Sequence, residues 1–223
     1  MAGQNNPDIE DLHNNSKYRL VKVLKHKEVV FFVVRQLKIL KWPMLFFYIF
    51  ILALFIMMAA VTAHNIIYHQ ISWGSYWIFM FYGVFSGMIL IIPFHEALHG
   101  LAYRCAGAKK VKYGMDLKQM LFYASAPGFV ADKKAFLLVA LFPFLIINLF
   151  FAAGIAFGQP EVKWASLTAL FVHSTLCIGD FAMINFLASF PGSGLFTYDD
   201  QSTKTSYFFT CCTNGKTDRN AEF

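Results

Sequence analysis

The chain has 223 residues, of which 57% are hydrophobic, 18% aromatic and 14% charged, with a formal net charge of +6. Soluble domains carry about 25% charged residues, so much of this chain is built not to face water, and one membrane domain replaces the one or two soluble domains its length would allow. The basic residues lie between apolar runs rather than in one patch, which sets nucleic acid aside as a partner, and the four Cys, at 105, 177, 211 and 212, form neither a CxxC zinc pair nor a disulfide framework.

In chain order, residues 1–43 are polar and basic, and no secretory leader is expected because the first long apolar run begins only after them. Within this segment residues 29–40 are apolar but interrupted by Arg35 and Lys38. They are too short to cross a bilayer and read as an interfacial amphipathic helix, with Trp42 as its anchor. Four later stretches have the roughly 20 apolar residues that a transmembrane helix needs. They are residues 44–62, 76–94, 135–157 and 164–190. Residues 195–223 are polar and are expected to form a flexible tail.

Lys and Arg alternate in density along these stretches. There are eight before the first span, none in 63–75, seven from Arg104 to Lys134, one in 158–163 and three in the tail. Positive residues mark the cytoplasmic side, so both termini are expected to be cytoplasmic, most simply at the plasma membrane. No internal repeat is visible, and the inverted-repeat signature of transporters is therefore absent.

The second span runs into His95-Glu96-Ala97-Leu98-His99-Gly100. Residues four apart share a helix face, so two imidazoles reach one metal ion while Glu96 stands beside them. Zinc makes a water molecule acidic enough to attack near neutral pH, and a neighbouring carboxylate can take and return its proton. His95 and His99 are thus candidate ligands and Glu96 the candidate general base and acid.

A catalytic zinc site wants a third protein ligand. Asp116, Asp132, Glu161, His173 and Asp180 are available. His95 and His99 lie roughly 28–35 Å from the outer end of their span, and Asp180 roughly 24 Å into the fourth, at a similar depth. A lone carboxylate in an apolar span is costly without a partner. Asp180 is therefore the preferred third ligand, with His173, two turns earlier on the same face, as a supporting group or the alternative. Asn148 in the third span is expected to bond across helices, and Cys177 to act as a small apolar filler. Residues 111–126 alternate as a hairpin would, closed by Pro127-Gly128.

The runs HEALHGLAYRCAGAKKVKYG (95–114) and GDFAMINF (179–186) resemble the bacterial family of putative zincin peptidases, and more distantly the site-2 protease type of intramembrane zinc metalloprotease. The resemblance spans roughly residues 76–190. It implies zinc held by His95, His99 and Asp180, Glu96 as catalytic residue, and a strand at 111–126 beside which an extended substrate is added. The chain departs from many site-2 proteases around Asp180, with Cys177-Ile178-Gly179 before it and Phe181 after it where Asn-Pro and Gly are usual, and it has no PDZ-like insertion.

The expected protein is an all-α integral membrane domain of about four transmembrane helices with a small β-hairpin at the cytoplasmic face. Its expected parts are a basic N-terminal segment (1–43), the membrane domain (44–194) and the tail (195–223). Its expected activity is zinc-dependent hydrolysis of a peptide bond in or near a transmembrane segment of a membrane-protein substrate. The rival reading is a non-catalytic membrane protein that binds or moves a metal, for which Glu96 has no use.

Overall fold

The computed structural model describes residues 7–116, 121–190 and 194–211. The chain opens with a short helix α1 (Ile9–Asn14), strand β1 (Tyr18–Lys25), a 3-10 turn and helix α2 (Val29–Leu37). The long helix α3 (Trp42–Tyr68) follows, with Pro43 in its first turn, where a missing N–H costs nothing. Helix α4 (Trp73–Phe85), capped by the Ser72 hydroxyl, runs through a π-helical turn at Ser86–Leu90 into α5 (Ile91–Cys105). Pro93 lacks the N–H that would reach the carbonyl of Ile89, and the wide turn before it absorbs that loss. A hairpin of β2 (Lys112–Asp116) and β3 (Leu121–Ser125) comes next, then β4 (Ala131–Asp132), α6 (Lys133–Phe157), α7 (Pro160–Leu176) and α8 (Ile178–Leu187). Strands β5 (Leu195–Asp200) and β6 (Thr205–Cys211) end the described chain.

Among the described residues, three helices are long and apolar enough to cross a membrane: Trp42–Tyr68, Trp73–Cys105 and Lys133–Phe157. Helices α7 and α8 make a fourth if they count as one span broken by a 44° bend. The fourth expected span is therefore interrupted, and the interruption falls at Cys177, between His173 and Asp180. Helix α7 is the hub. Its Trp164, Leu167, Leu170 and His173 are buried, and its Trp164 stacks on Tyr76 of α4 at 4.7 Å. Gly83 and Gly87, one turn apart, let the α4 rod lie directly on α7, because a Cβ at Gly83 would stand 2.6 Å from the Ala165 carbonyl oxygen. The outward faces stay apolar: Ile49, Leu52 and Phe55 on α3, Phe81 on α4, Leu149 and Phe150 on α6 are all exposed. Faces of this kind are compatible with a multi-pass membrane protein.

Of the two β features, one was expected and one was not. The hairpin appears where the alternation placed it, with Tyr113 opposite Ala124; its tip, residues 117–120, lies outside the described residues. A second, four-stranded antiparallel sheet of order β1-β6-β5-β4 is also present. Residues 195–211, expected as a loose tail, supply its two central strands, and the N-terminal segment supplies an edge strand, β1. The physical reason is pairing at long range: Tyr18 to Lys25 register with Cys211 to Thr205 across almost the whole chain, a partnership that local polarity does not reveal. Once paired, Leu24, Leu195, Phe208 and Phe186 of α8 bury one face together. Helix α2 forms as expected. Phe32 and Gln36 turn into the core, whereas Val30, Phe31 and Val34 face outward.

Candidate metal centre

Helix α5 carries the motif at its middle, so His95 and His99 stand one turn apart, edge to face, with ring centroids 4.6 Å from each other. The helix ends cleanly two turns later. Gly107, at φ +103°, takes the left-handed position that lets the Ala108 N–H reach back to the Tyr103 carbonyl, 2.9 Å away. That turn sends the chain into the hairpin, which folds back over the site. Asp180 enters from the opposite side, in the first turn of α8 just past the break, where the helix N-terminus favours a negative charge.

The three groups converge. His95 Nε2 is 3.3 Å from one carboxylate oxygen of Asp180, and His99 Nε2 is 3.4 Å from the other. Which ring nitrogen carries the proton follows from the outer partners. The Nδ1 of His99 lies 2.9 Å from the Val139 carbonyl oxygen, which can only accept, so Nδ1 bears the hydrogen and Nε2 is left with its lone pair. That carbonyl is available because Pro143, four residues on in α6, has no N–H to fill it.

A longer chain fixes His95. The Asn148 side-chain oxygen accepts from Ser174 Oγ at 3.2 Å and from His173 Nδ1 at 3.0 Å. The Nε2 of His173 then accepts from His95 Nδ1 at 3.1 Å. His95 Nε2, like His99 Nε2, is thus a bare lone pair facing the carboxylate.

A positive charge between the two Nε2 atoms and the carboxylate satisfies all three groups, either as a metal ion bound by the Nε2 lone pairs or as a proton that makes an imidazole a donor to Asp180. Ligand atoms on a tetrahedral zinc with bonds near 2.0–2.1 Å stand about 3.3–3.4 Å apart, which matches the two distances. All three ligand atoms lie within 4.8 Å of one another. The donor set therefore fits zinc. His95, His173 and Cys177 form a second group within the same span of distance. It would need the proton that His95 Nδ1 now shares with His173, so it suits a metal less well.

The other expected residues fall as follows. Glu96 sits beside the triad and lines the same cavity, with the Ala124 backbone N–H of β3 close enough to favour its carboxylate. Asp132 caps α6, with Oδ1 accepting from the Ala135 N–H at 2.8 Å. Glu161 lies in the first turn of α7, about 18 Å of helix from His173. The side chain of Asp116 lies outside the described residues. Cys177 is buried and also marks the break in the span. The sequence reading missed Tyr103, which lies four residues past His99 on the cavity-lining face of α5; that spacing was the available signal. It also missed Val139 as a partner of His99, for which Pro143 in mid-span was the clue.

Asn148 and His173 set the proton on His95 from outside the group of three. His173→Ala is expected to weaken zinc binding about 10–100-fold, the usual cost of removing such an outer partner. His173→Gln, which keeps an acceptor for His95 Nδ1, should recover part of it. Equal zinc affinity in both variants and the unaltered protein, measured by competition with a chelating dye, would remove His173 from the site.

The fold and this centre define a mostly helical protein in which two histidines and a carboxylate form a group that could hold a metal ion, with the carboxylate of Glu96 beside it. Residues 88–194, a little under half of the chain, match a family model described as putative zincin peptidase. The matched segment contains His95, Glu96, His99 and Asp180 and points to a metallopeptidase. No curated protein and no solved structure matches the chain.

Proposed function

We propose that this protein is an intramembrane zinc metallopeptidase of site-2 protease type, which hydrolyses a peptide bond in or near a transmembrane segment of its substrate. The observation that carries the reading is the convergence of His95 Nε2, His99 Nε2 and Asp180 beside an unliganded Glu96. His95, His99 and Asp180 would hold the metal. Bound zinc supplies Lewis acidity, which activates a water and polarises the scissile carbonyl. The chain's own residues do the rest. Glu96, steered by the Ala124 N–H, takes the proton of the attacking water and returns it to the departing amine nitrogen. His99 and His95 are kept in one tautomer by Val139 and His173.

The substrate would lie along β3. The Ala124 N–H that reaches Glu96 points away from β2, and alternate residues of a strand share that direction, so Phe122 offers its backbone groups to the same side. An added substrate strand finds hydrogen bonds there and is held extended beside Glu96. Burial of the site within apolar helices, and the basic segments on one side of them, support a membrane setting with both termini cytoplasmic.

A metal-transport role needs the ligands but not Glu96 or a strand edge beside it, and the hydrolase reading uses all of them. The test is removal of the metal. The purified protein in detergent should cleave single-span test proteins, lose that activity when zinc is chelated and regain it with about one equivalent of zinc. Cleavage that persists through chelation would defeat the proposal.

A further inference from the structure

The cavity that reaches Glu96, His99 and Asp180 does not stop there. It continues to a wall formed by the four-stranded sheet, where Thr197, Asp199 and Ser206 line it. Asp199 of β5 pairs across the ladder with Ser206 of β6, and the Ser206 hydroxyl donates to its Oδ1 at 2.6 Å. Asp199 is partly buried and lines the cavity. His26, in the turn after β1, faces it and packs edge-on against Tyr123 of β3 at 5.1 Å. Among the described residues no Lys or Arg forms an ion pair with Asp199; both ion-pair contacts found involve Asp180. Burial raises the Asp199 carboxyl above its usual range, and Ser206 and His26 offset only part of that. A partly buried acid whose neighbours are the Ser206 hydroxyl and His26, opening on a cavity shared with the candidate catalytic groups, has room for a further cation.

We propose that Asp199 determines specificity by seating the Lys or Arg side chain that flanks a substrate's membrane segment on its cytoplasmic side. The inference rests on the hydrolase reading. Three observations place the contact. One face of α5 runs from Glu96 past His99 to Tyr103, and Tyr103 lies within electrostatic reach of both Glu96 and Asp199. Seven helical residues separate Glu96 from Tyr103, about 10 Å, which an extended substrate covers in about three residues. The cation therefore stands two or three residues from the bond beside Glu96. Leu24, Val29 and Phe208 line the approach, an apolar track suited to the methylene stem of a long basic side chain.

Charge patterning says why a cation would arrive there. Past the site α5 continues through Arg104 of its last turn and is followed by Lys109, Lys110 and Lys112, the basic signature of the cytoplasmic side. A substrate span obeys the same bias, so its own Lys and Arg cluster at that depth. Asp199 reads that feature, and it comes from the C-terminal hairpin.

The test uses the full-length protein in detergent, in the Glu96→Gln form so that bound substrate is not consumed. Single-span test proteins carry Lys, Gln or Glu at the third position beyond the membrane segment. The Lys version should bind about 10–100-fold tighter than the Gln version, and the Glu version should be weakest. Asp199→Asn should bring the Lys-to-Gln ratio close to one. The comparison among the three substrates needs no change at Asp199, so it decides the matter even if Asp199→Asn fails to fold. Equal binding of all three, or a Lys preference that survives Asp199→Asn, overturns the proposal. Cleavage by the unaltered protein is scored separately. Lys-selective binding without cleavage of any substrate sinks the hydrolase reading and leaves the cation seat standing, whereas cleavage without Lys preference sinks the seat alone.

Discussion

Glu96→Gln should retain zinc and lose cleavage. Glutamine has the shape of glutamate and keeps an oxygen to accept the Ala124 N–H, so neither the helix nor the hairpin above it has cause to move. What it loses is the ability to take a proton from water and deliver it to the leaving nitrogen. Proton transfer of this kind is worth about 10²–10⁴ in rate. The cleavage rate should fall by that factor while the zinc content and the melting temperature stay where they were. A variant within a few fold of the unaltered rate would mean that Glu96 is not the base, and the metal-binding rival would gain from it.

Asp180→Ala should act on the metal first. Asp180 is the one anion among the three ligands, and it comes from a different helix than the two histidines. Its loss leaves His95 and His99 as a two-point site on α5 with nothing to close it from α8. Removal of an outer partner of a ligand already costs about 10–100-fold in affinity, so removal of the ligand itself should cost more than about 10². The consequence extends to stability. A metal present at about 100 times its dissociation constant stabilises the folded state by about 2.7 kcal/mol, and here it would tie α8 to α5 across the break at Cys177. Added zinc should raise the melting temperature of the unaltered protein and leave that of Asp180→Ala unchanged. An equal rise in both would place the metal elsewhere, most simply at His95, His173 and Cys177.

The parts of this account that were legible in the sequence are those governed by short spacings. His95 and His99 share a face because four residues make a turn. The apolar runs gave their own helices, and the hairpin at 112–125 showed its alternation. Asp180 was reached by a depth argument, and it does stand beside His95 and His99, because α4 and the wide turn after it run along α7 and rise per residue can stand in for position. What stayed hidden depends on distant partners. Strands β1, β5 and β6 look like polar flanks until they pair with one another over nearly 200 residues, and only their pairing brings Asp199 to the cavity. The break at Cys177 left no proline or glycine pair to announce it, since Gly179 follows the bend. The role of Asn148 became clear only when His173 was seen to pass its hydrogen bond on to His95. Pro143 shows the opposite case. It was noticed as a residue in mid-span, but the meaning of the carbonyl it frees required His99 to be placed opposite.

The most direct measurement of the central claim is X-ray absorption at the zinc edge on the purified full-length protein, with zinc content determined on the same sample. One zinc per chain, in a shell of nitrogen and oxygen scatterers near 2.0–2.1 Å with no sulfur, is the predicted result, because His95, His99 and Asp180 contribute only imidazole nitrogen and carboxylate oxygen. A sulfur scatterer near 2.3 Å would put Cys177 on the metal, and absence of zinc would leave a proton to satisfy the converging groups. Either result would contradict the assigned centre.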